Sequence, residues 1–295
     1  MTDPYAAFPK RVTLCEVGPR DGLQNEAHAV AAADKVRYTE MLVDAGVRAI
    51  EVTSFVSPKS VPQLADADEV FAAVRKRDGV RYIALVPNQR GLDRALAAGV
   101  REIGVFTAAS DIFAKKNINM SIDESIAVFR IVIARAHADG MKVRASVSTA
   151  FGSPFEGAVP PANVVRVSHE LLEAGADTLS IADTIGVATP NQVIEVVGAL
   201  LDSGIGRDKL SLHFHDTRHT ALPNIMAGLQ LGVAEFDSSS GGLGGCPFAP
   251  GATGNVATED VLYLLHGMGI ETGIDLERVR EASRFINRAL HVQVA

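Results

Sequence analysis

Two histidines one residue apart form the clearest chemical pattern in this sequence of 295 residues. They lie in the segment LHFHD, residues 212–216, whose composition is typical of a β-strand. Successive side chains of a strand point to opposite faces, so His213 and His215 would share one face. Two imidazoles on a rigid strand can bind one metal ion when other segments supply oxygen ligands. The alternative is a surface strand with two solvated histidines, so the interpretation depends on the surrounding elements.

Short segments of β-forming composition recur along the chain, with segments of helical spacing between them. The predicted strands are 12–17, 48–53, 80–86, 102–106, 142–148, 177–182, 210–215 and 234–239, and predicted helices include 35–45, 123–138 and 164–174. A glycine precedes each strand after the first, as expected where a helix ends in the left-handed C-cap conformation. These glycines are Gly46, Gly79, Gly99, Gly140, Gly175, Gly204 (or Gly206) and Gly232.

Eight regular units favour a closed (β/α)8 TIM barrel of the α/β class over a doubly wound sheet, which is the structural alternative. The chain is 47% hydrophobic and long enough for one large core. We therefore predict that residues 1–295 form a single catalytic TIM-barrel domain. Residues 275–290 are predicted to form an extra C-terminal helix that caps the barrel or makes an interface, and a homodimer is expected.

The barrel topology predicts where functional side chains lie. Active groups of such barrels sit at the C-terminal ends of the strands and in the loops that follow. His213 and His215 meet this condition at the end of the seventh strand. On the second strand, Ile50 and Val52 should pack against helices, which leaves Glu51 pointing into the lumen. The eighth strand also alternates acidic and apolar residues, so the lumen is predicted to be polar towards one end.

The segment EVGPRDGLQNE, residues 16–26, follows the first strand. Gly18 ends the strand and Gly22 permits a tight turn, so Arg20 and Asp21 should sit at the barrel mouth. A surface Arg-Asp turn is the ordinary reading of such a dipeptide. Its position opposite the two histidines favours a functional role, in which Asp21 supplies a hard oxygen ligand and Arg20 stabilises negative charge on a substrate oxygen.

A glycine-rich segment, GGLGGCPFAPGATGN at residues 241–255, follows the eighth strand. Such a loop is mobile and allows close backbone approach to a ligand, as lids do. Cys246 lies within it and is predicted to be chemically exposed, whereas Cys15 in the first strand is predicted to be a buried small hydrophobe. Asn255 either caps the helix that begins near residue 258 or ligates a metal through its side-chain oxygen.

Composition narrows the possible partners and compartment. A net charge of −7 argues against nucleic-acid binding, and an anionic substrate would need locally placed basic groups. No apolar segment approaches the roughly 20 residues of a membrane span. The N-terminal MTDPYAAFPK lacks the pattern of a signal or transit peptide, and two cysteines provide no disulfide framework. We expect a cytoplasmic protein without nucleic-acid or membrane partners.

Six motifs together resemble the 3-hydroxy-3-methylglutaryl-CoA lyase family of metal-dependent, aldolase-like barrels. They are GPRDGLQNE, EVTSFVSPK, KKNIN, DTIGVATP, HFHDT and GGLGGCPFAPGATGNVATED, in the family's order over nearly the whole chain. By this resemblance the metal ligands are Asp21, His213, His215 and Asn255. The catalytic residues implied are Arg20, Glu51 and Cys246, and the substrate-binding residues are Arg20 and Gln24.

The resemblance implies an oxo-acid lyase that cleaves 3-hydroxy-3-methylglutaryl-CoA to acetyl-CoA and acetoacetate, as in leucine and ketone-body catabolism. An acyl-CoA thioester is then the substrate, and imidazole with oxygen ligands suits Mg²⁺ or Mn²⁺ better than a closed structural zinc site. Lys115 and Lys116 are candidates for contacts to the CoA phosphates, with a solvated lysine pair as the alternative.

The chain departs from the family at three places. HDTRHT replaces the HDTYG of better-known members, STAFGSPFEG lacks the extra cysteines of animal enzymes, and Ser60 stands where animal forms carry tryptophan. These departures leave open a lyase for a related thioester such as isohexenylglutaryl-CoA or citramalyl-CoA. An isopropylmalate-synthase-like condensing enzyme is disfavoured because such enzymes carry H-x-H-N-D and a longer chain. A barrel without activity is disfavoured because the candidate ligands, Arg20 and Cys246 are all present.

Overall fold

Eight parallel strands close into a barrel in the computed structural model, which describes residues 8–245 and 254–291. The strands are β1 Thr13–Glu16, β2 Ala49–Ser54, β3 Arg81–Leu85, β4 Glu102–Ala108, β5 Lys142–Ser148, β6 Thr178–Asp183, β7 Leu210–Phe214 and β8 Glu235–Ser238. Each strand pairs with the next along the chain, and β8 pairs with β1. The predicted (β/α)8 TIM barrel is confirmed.

Helices surround this barrel and follow the strands in chain order. They are α1 Ala32–Asp44, α2 Ala67–Ala73, α3 Gln89–Ala97, α4 Asp111–Ile118, α5 Ile122–Ala138, α6 Pro161–Glu173, α7 Pro190–Asp202, α8 Ala221–Gln230, α9 Thr258–Gly267 and α10 Leu276–His291. Helix α6 begins three residues earlier than predicted because Pro161 occupies its first turn, where a missing N–H costs nothing. Two helices, α4 and α5, lie between β4 and β5.

The predicted C-terminal helix is α10, and it packs against α1 on the outside of the barrel. The guanidinium of Arg37 on α1 lies 4.8 Å from the ring centroid of Phe285 on α10. The amide of Asp275 donates to the carbonyl of Ala45 at 2.7 Å, which joins the start of α10 to the end of α1. Within the described residues, no helix is long and apolar enough to span a membrane.

The glycines before the strands adopt the predicted left-handed conformation. All seven have positive φ angles, between 71° and 110°, and Gly204 rather than Gly206 is the one before β7. At Gly46 a Cβ atom would also collide with the carbonyl of Gly273, so both conformation and space require glycine. At these glycines the chain can therefore leave a helix and turn back into the next strand.

The lumen of the barrel combines a small apolar cluster with charged side chains. Cys15 is fully buried in a cluster with Val17, Ala49 and Ile83, as predicted for a small hydrophobic cysteine. Burial raises the pKa of the Cys15 thiol well above its usual value. Elsewhere in the lumen, Arg81 bridges acidic residues of β4 and β8. The larger apolar core lies between the strands and the helices.

Candidate metal-dependent active site

A π-helical turn at Gly18–Gly22 follows β1 and carries Arg20 and Asp21. The carbonyl oxygen of Val17 accepts hydrogen bonds from the amides of Arg20, Asp21 and Gly22 at 3.1, 2.8 and 3.2 Å. Single π-helical turns are rare and occur frequently at functional sites. The turn holds both side chains at the C-terminal end of the barrel, as the sequence predicted.

Asp21 converges at this end with His213 of β7 and with His215, which directly follows β7. The candidate ligand atoms of Asp21, His213 and His215 all lie within 4.8 Å of one another. The two imidazole ring centroids are 5.2 Å apart. Asn255 joins the group, because its Nδ2 donates to Asp21 Oδ2 at 2.9 Å. The four predicted metal ligands are therefore brought together.

Two buried atoms of this group have no hydrogen-bond partner within residues 8–245 and 254–291. They are Asn255 Oδ1 and His215 Nδ1. Buried polar atoms are nearly always satisfied, and an unsatisfied one needs an explanation. A carboxylate, two imidazoles and an amide oxygen are a donor set that suits a divalent cation. The residues present thus fit a metal ion. Asn255 does not cap α9, whose N-cap is Ala257.

The charges around the group favour cation binding. Burial alone would raise the pKa of Asp21, but Arg20 and the two histidines hold it at about 2. Burial, together with the neighbouring His213, lowers the pKa of His215 to about 4. Asp21 is therefore an anion and His215 is neutral at neutral pH. These are the protonation states that a metal ligand requires.

Arg20 is held by two carboxylates. Its Nε and Nη2 lie 2.7 and 2.5 Å from Glu51 Oε2, and its Nη1 donates to Asp21 Oδ1 at 2.6 Å. Glu51 is buried in the lumen, as predicted from the alternation of β2. Burial opposes the charge of Arg20, but the two carboxylates outweigh it and raise the pKa of the guanidinium. Gln24 Nε2 donates to Asp21 Oδ1 at 3.0 Å. The same oxygen therefore accepts hydrogen bonds from both Arg20 and Gln24.

Asp237 on β8 is a site residue to which the sequence analysis assigned no role. Its Oδ2 lies 3.1 Å from His213 Nδ1, and β7 and β8 are in register at these two residues. A carboxylate on one ring nitrogen fixes the imidazole and leaves the other nitrogen for a metal. Burial would lower the pKa of His213, but this bond and the charge of Asp237 raise it. Asp237 itself is paired with Arg144 of β5 at 2.5 Å.

Glu16 is a second buried carboxylate that sequence reasoning missed. Its Oε1 accepts from the amides of Gly18 and Ser240 at 2.9 Å each, and its Oε2 accepts from the Thr258 hydroxyl at 2.8 Å. Burial raises the pKa of Glu16 to about 7 against the effect of these bonds. The carboxylate joins the Arg20 turn to the segment after β8 and to the start of α9.

The glycine-rich segment begins and ends beside the metal ligands. A Cβ at Gly254 would collide with the carbonyl oxygens of Gly242 and Gly244, so the two ends of the segment touch each other. Asn255 Nδ2 donates to Leu243 O at 2.9 Å, and Asn25 Nδ2 donates to Gly245 O at 2.7 Å. Cys246, the predicted catalytic cysteine, lies outside the described residues.

A cavity of about 670 Å³ opens above these residues. Arg20, Asp21, Gln24, His213, His215 and Asp237 border it at one side. Apolar residues of α4 and of the loops after β2 and β3 line another part, and Lys116 lies there with its Nζ 4.9 Å from the Phe155 ring centroid. Lys115 instead forms an exposed ion pair with Asp111 at 2.6 Å. Of the two lysines, only Lys116 borders the cavity.

The sequence matches the HMGL-like family over residues 11–286. The mitochondrial hydroxymethylglutaryl-CoA lyase of Bos taurus is 47% identical over 290 residues, which cover 98% of this chain and 89% of the bovine protein. The chain belongs to the hydroxymethylglutaryl-CoA lyase family.

Solved structures of hydroxymethylglutaryl-CoA lyases share the fold. The crystal structure from Pseudomonas aeruginosa is 48% identical with a TM-score of 0.94, and the match covers 97% of this chain and 95% of that one. A lyase of this family from Acinetobacter baumannii, in complex with coenzyme A and 3-methylmalate, is 37% identical with a TM-score of 0.91 and covers 98% and 93% of the two chains.

Proposed function

We propose that this chain is a divalent-metal-dependent lyase that cleaves 3-hydroxy-3-methylglutaryl-CoA to acetyl-CoA and acetoacetate. The observation that carries the proposal is the convergence of Asp21, His213 and His215 within 4.8 Å of one another, beside the Arg20 guanidinium and on the wall of a cavity. Membership of the hydroxymethylglutaryl-CoA lyase family supports the reaction type and an acyl-CoA substrate.

Asp21, His213, His215 and Asn255 are the residues that would hold the metal. Asn255 Oδ1 and His215 Nδ1 are the unsatisfied atoms that support this assignment. A divalent ion held by these residues would lower the pKa of the substrate's 3-hydroxyl and orient it. Mg²⁺ or Mn²⁺ is the proposed ion, because hard oxygen ligands with imidazole suit both.

Arg20 is proposed to act on the carbonyl oxygen of the thioester. Cleavage of the C2–C3 bond leaves the enolate of acetyl-CoA, whose oxygen carries negative charge. A guanidinium has five N–H groups. Nε donates to Glu51 and Nη1 to Asp21, and Nη2 forms an ion pair with Glu51 Oε2 at 2.5 Å. The N–H groups of Nη1 and Nη2 that are directed to neither carboxylate are proposed to donate to the enolate oxygen. Glu51 holds the guanidinium in place, and Gln24 completes the proposed substrate-binding set beside Asp21.

Two proton transfers accompany the cleavage. The 3-hydroxyl proton must leave, and its acceptor is proposed to be the carboxylate of Asp21, which is ionised at neutral pH and lies beside both histidines. His213 has no free nitrogen for this proton, because Nδ1 contacts Asp237 and Nε2 would bind the metal. Cys246 is proposed to give the enolate carbon its proton, since a thiol is acidic enough to do so and the segment that carries it starts and ends at the site.

A cleavage assay across a panel of thioesters tests the proposal. The panel contains 3-hydroxy-3-methylglutaryl-CoA, citramalyl-CoA and isohexenylglutaryl-CoA, each with Mg²⁺, with Mn²⁺ and with a chelator. Release of acetyl-CoA and acetoacetate from the first, only in the presence of metal, is the expected result. Cleavage of another member at a higher kcat/KM would reassign the substrate, and activity in chelator would contradict the metal dependence.

We also propose that residues 1–295 act as one catalytic domain, in a homodimer and in the cytoplasm. The family match over residues 11–286 and the packing of α10 on α1 support the single domain. Light scattering after size-exclusion chromatography tests the dimer, since a monomeric mass at working concentration would contradict it.

A further inference from the structure

Glu16, the last residue of β1, is a fully buried carboxylate that forms no ion pair within the described residues. Burial raises its pKa to about 7, so the protein does not favour its ionised form. A carboxylate that is costly to bury and has no cationic partner adds nothing to stability through its charge. What Glu16 contributes must therefore come from the geometry of its three hydrogen bonds.

The three hydrogen bonds lead to segments at the end of the barrel that carries the proposed metal ligands. Oε1 accepts from the amide of Gly18, which begins the π-helical turn of Asp21, and from the amide of Ser240 in the segment after β8. Oε2 accepts from the hydroxyl of Thr258, the first residue of α9. One side chain therefore bonds to the turn on one side and to the residues that flank the glycine-rich segment on the other.

Backbone bonds do not hold these segments together. The last one between β1 and β8 runs from the Val17 amide to the Ser238 carbonyl oxygen, at 2.9 Å. Beyond it, among the described residues, no backbone hydrogen bond joins residues 18–26 to residues 239–245 or 254–258. The position of the turn relative to the other two segments therefore depends on side chains.

Asn255 lies on the far side of this junction. Its backbone bridges to that of His215, so it is fixed relative to the histidines by backbone contacts. Its contact with Asp21 is between side chains, from Nδ2 to Oδ2 at 2.9 Å. Another link across the junction, from Asn25 Nδ2 to Gly245 O, is exposed to solvent and should restrain the turn only weakly.

The link through Glu16, by contrast, is buried and short. Thr258 lies three residues after Asn255, and its amide donates to the carbonyl oxygen of Ser239 at 3.1 Å. The two partners of Glu16 after β8, Ser240 and Thr258, therefore belong to one hydrogen-bonded unit with Asn255. A displacement of the carboxylate would move this unit relative to the turn.

Close packing prevents the carboxylate from shifting alone. A Cβ at Gly18 would collide with Glu16 Oε1 and with the hydroxyl of Tyr38. The Tyr38 hydroxyl lies 2.6 Å from Ser240 Oγ, and both of these side chains are fully buried. A side chain of another length at position 16 would therefore have to displace Gly18 or Ser240.

We propose that Glu16 is a positioning residue that holds the Asp21 turn against the Asn255 segment and so sets the affinity of the site for a divalent cation. The inference rests on the proposed function, because it deepens the assignment of Asp21 and Asn255 as metal ligands. The hydrogen bonds of Glu16 go to none of the proposed ligands. It acts through the backbone of the turn and through the segments after β8.

Mn²⁺ affinity of folded variants, measured by electron paramagnetic resonance, tests the inference. Glu16→Asp keeps the charge but is one methylene shorter, so it cannot reach all three donors. Its Kd for Mn²⁺ should rise about 10-fold, as for loss of a partner that orients a metal ligand.

Glu16→Gln should restore the affinity, because it keeps the length of the side chain. Its amide oxygen can accept from both backbone amides, and its NH2 group can donate to the hydroxyl of Thr258. That hydroxyl can then donate to Ser238 Oγ, at 2.9 Å. With this geometry kept, the Kd should stay within about threefold of the wild type.

Glu102→Asp is the matched control. Glu102 is another buried glutamate of the barrel, but it begins β4 at the opposite end and pairs with Arg81 at 2.8 Å. Shortening it should lower the free energy of unfolding in urea and leave the Kd for Mn²⁺ unchanged. A loss of stability alone would thereby be separated from a loss of metal affinity.

Thr258→Val provides a second variant that deletes one of the three bonds without a change of length. Its Kd should rise less than that of Glu16→Asp. The double variant should bind Mn²⁺ no more weakly than Glu16→Asp alone, because both changes break the same connection.

Crystal structures of the variants give a readout that needs no metal. The distance from Asn255 Nδ2 to Asp21 Oδ2 is 2.9 Å and should exceed about 3.5 Å in Glu16→Asp. If the wild type bound no Mn²⁺, the proposed function would fail, while this distance would still test Glu16. An unchanged Kd in folded Glu16→Asp and Thr258→Val, or an equal rise in Glu16→Gln and Glu16→Asp, overturns the inference.

Discussion

Replacement of Arg20 by lysine separates charge from geometry at the proposed enolate site. The guanidinium contacts Glu51 Oε2 through two nitrogens at 2.7 and 2.5 Å and Asp21 Oδ1 through a third at 2.6 Å. A lysine ammonium carries three N–H groups on one nitrogen and cannot bridge the same two carboxylates while it donates twice to a substrate oxygen. The positive charge remains, but the planar set of N–H donors that directs it toward the substrate oxygen is lost.

The expected loss falls on the chemical step. Removal of one donor to a developing oxyanion costs about 10²–10³ in kcat, or roughly 3–4 kcal/mol. The enolate charge exists mainly in the transition state, so KM should change little, by about threefold or less. Metal affinity should also change little, because Asp21 keeps its contacts with Gln24 and Asn255.

Steady-state kinetics and Mn²⁺ titration by electron paramagnetic resonance provide the assay. Arg75→Lys is the control, because Arg75 forms the same kind of pair with Glu40 on the exposed surface. It should leave kcat and KM unchanged. A loss in Arg20→Lys that appeared chiefly in KM would show that Arg20 binds ground state and transition state equally, and the reasoning would be refuted.

Three further predictions concern the ligands, the cysteines and the buried glutamate. Asp21→Ala and His213→Ala should each abolish metal-dependent cleavage with the fold intact by circular dichroism; near wild-type turnover with unchanged Mn²⁺ affinity would exclude the ligand set. Cys246→Ser should lose cleavage severely and keep metal binding, whereas Cys15→Ser should keep catalysis; labelling by a thiol reagent that inactivates the enzyme through Cys15 alone would contradict this. Because burial raises the pKa of Glu16 from 4.5 to about 7, the folded state binds its proton more tightly. The contribution of Glu16 to the free energy of unfolding should therefore be fully present below pH 4.5. It should fall by about 3 kcal/mol as the pH rises to 7. Glu16→Gln should flatten this part of the urea-denaturation profile, and an unchanged slope would show that Glu16 does not cause it.

Much of the fold follows from local patterns. The glycines before the strands indicate where a helix ends and the chain reverses direction. Each one adopts the left-handed conformation that this role requires. The alternation of β2 and β7 placed Glu51 and the two histidines in the lumen, because strand periodicity is a local property. Helix ends were less exact: Pro161 extended α6 by a turn that apolar spacing alone does not reveal.

The contacts between distant side chains could not be predicted in the same way. Asp237 meets His213 because β7 and β8 pair in one particular register, and the register is a property of the closed barrel. The charge of Arg144 inside the strand segment KVRASVS indicates a buried polar contact. Its partner Asp237 could not be predicted, because that contact also depends on the closure of the barrel. The role of Asn255 as a metal ligand stays a prediction, whereas its alternative role as a helix cap was wrong, since the N-cap of α9 is Ala257.

Three amides of the turn that carries Arg20 and Asp21 share one acceptor, the carbonyl oxygen of Val17. No side-chain substitution can delete a backbone carbonyl. Substitution of Arg20 or Asp21 can therefore remove the function of that side chain while the shared acceptor of the turn stays in place. Other side chains at positions 20 and 21 would therefore be presented by the same backbone hydrogen bonds. In hydrogen exchange, the three amides should be released together, because one opening of the Val17 carbonyl frees them all.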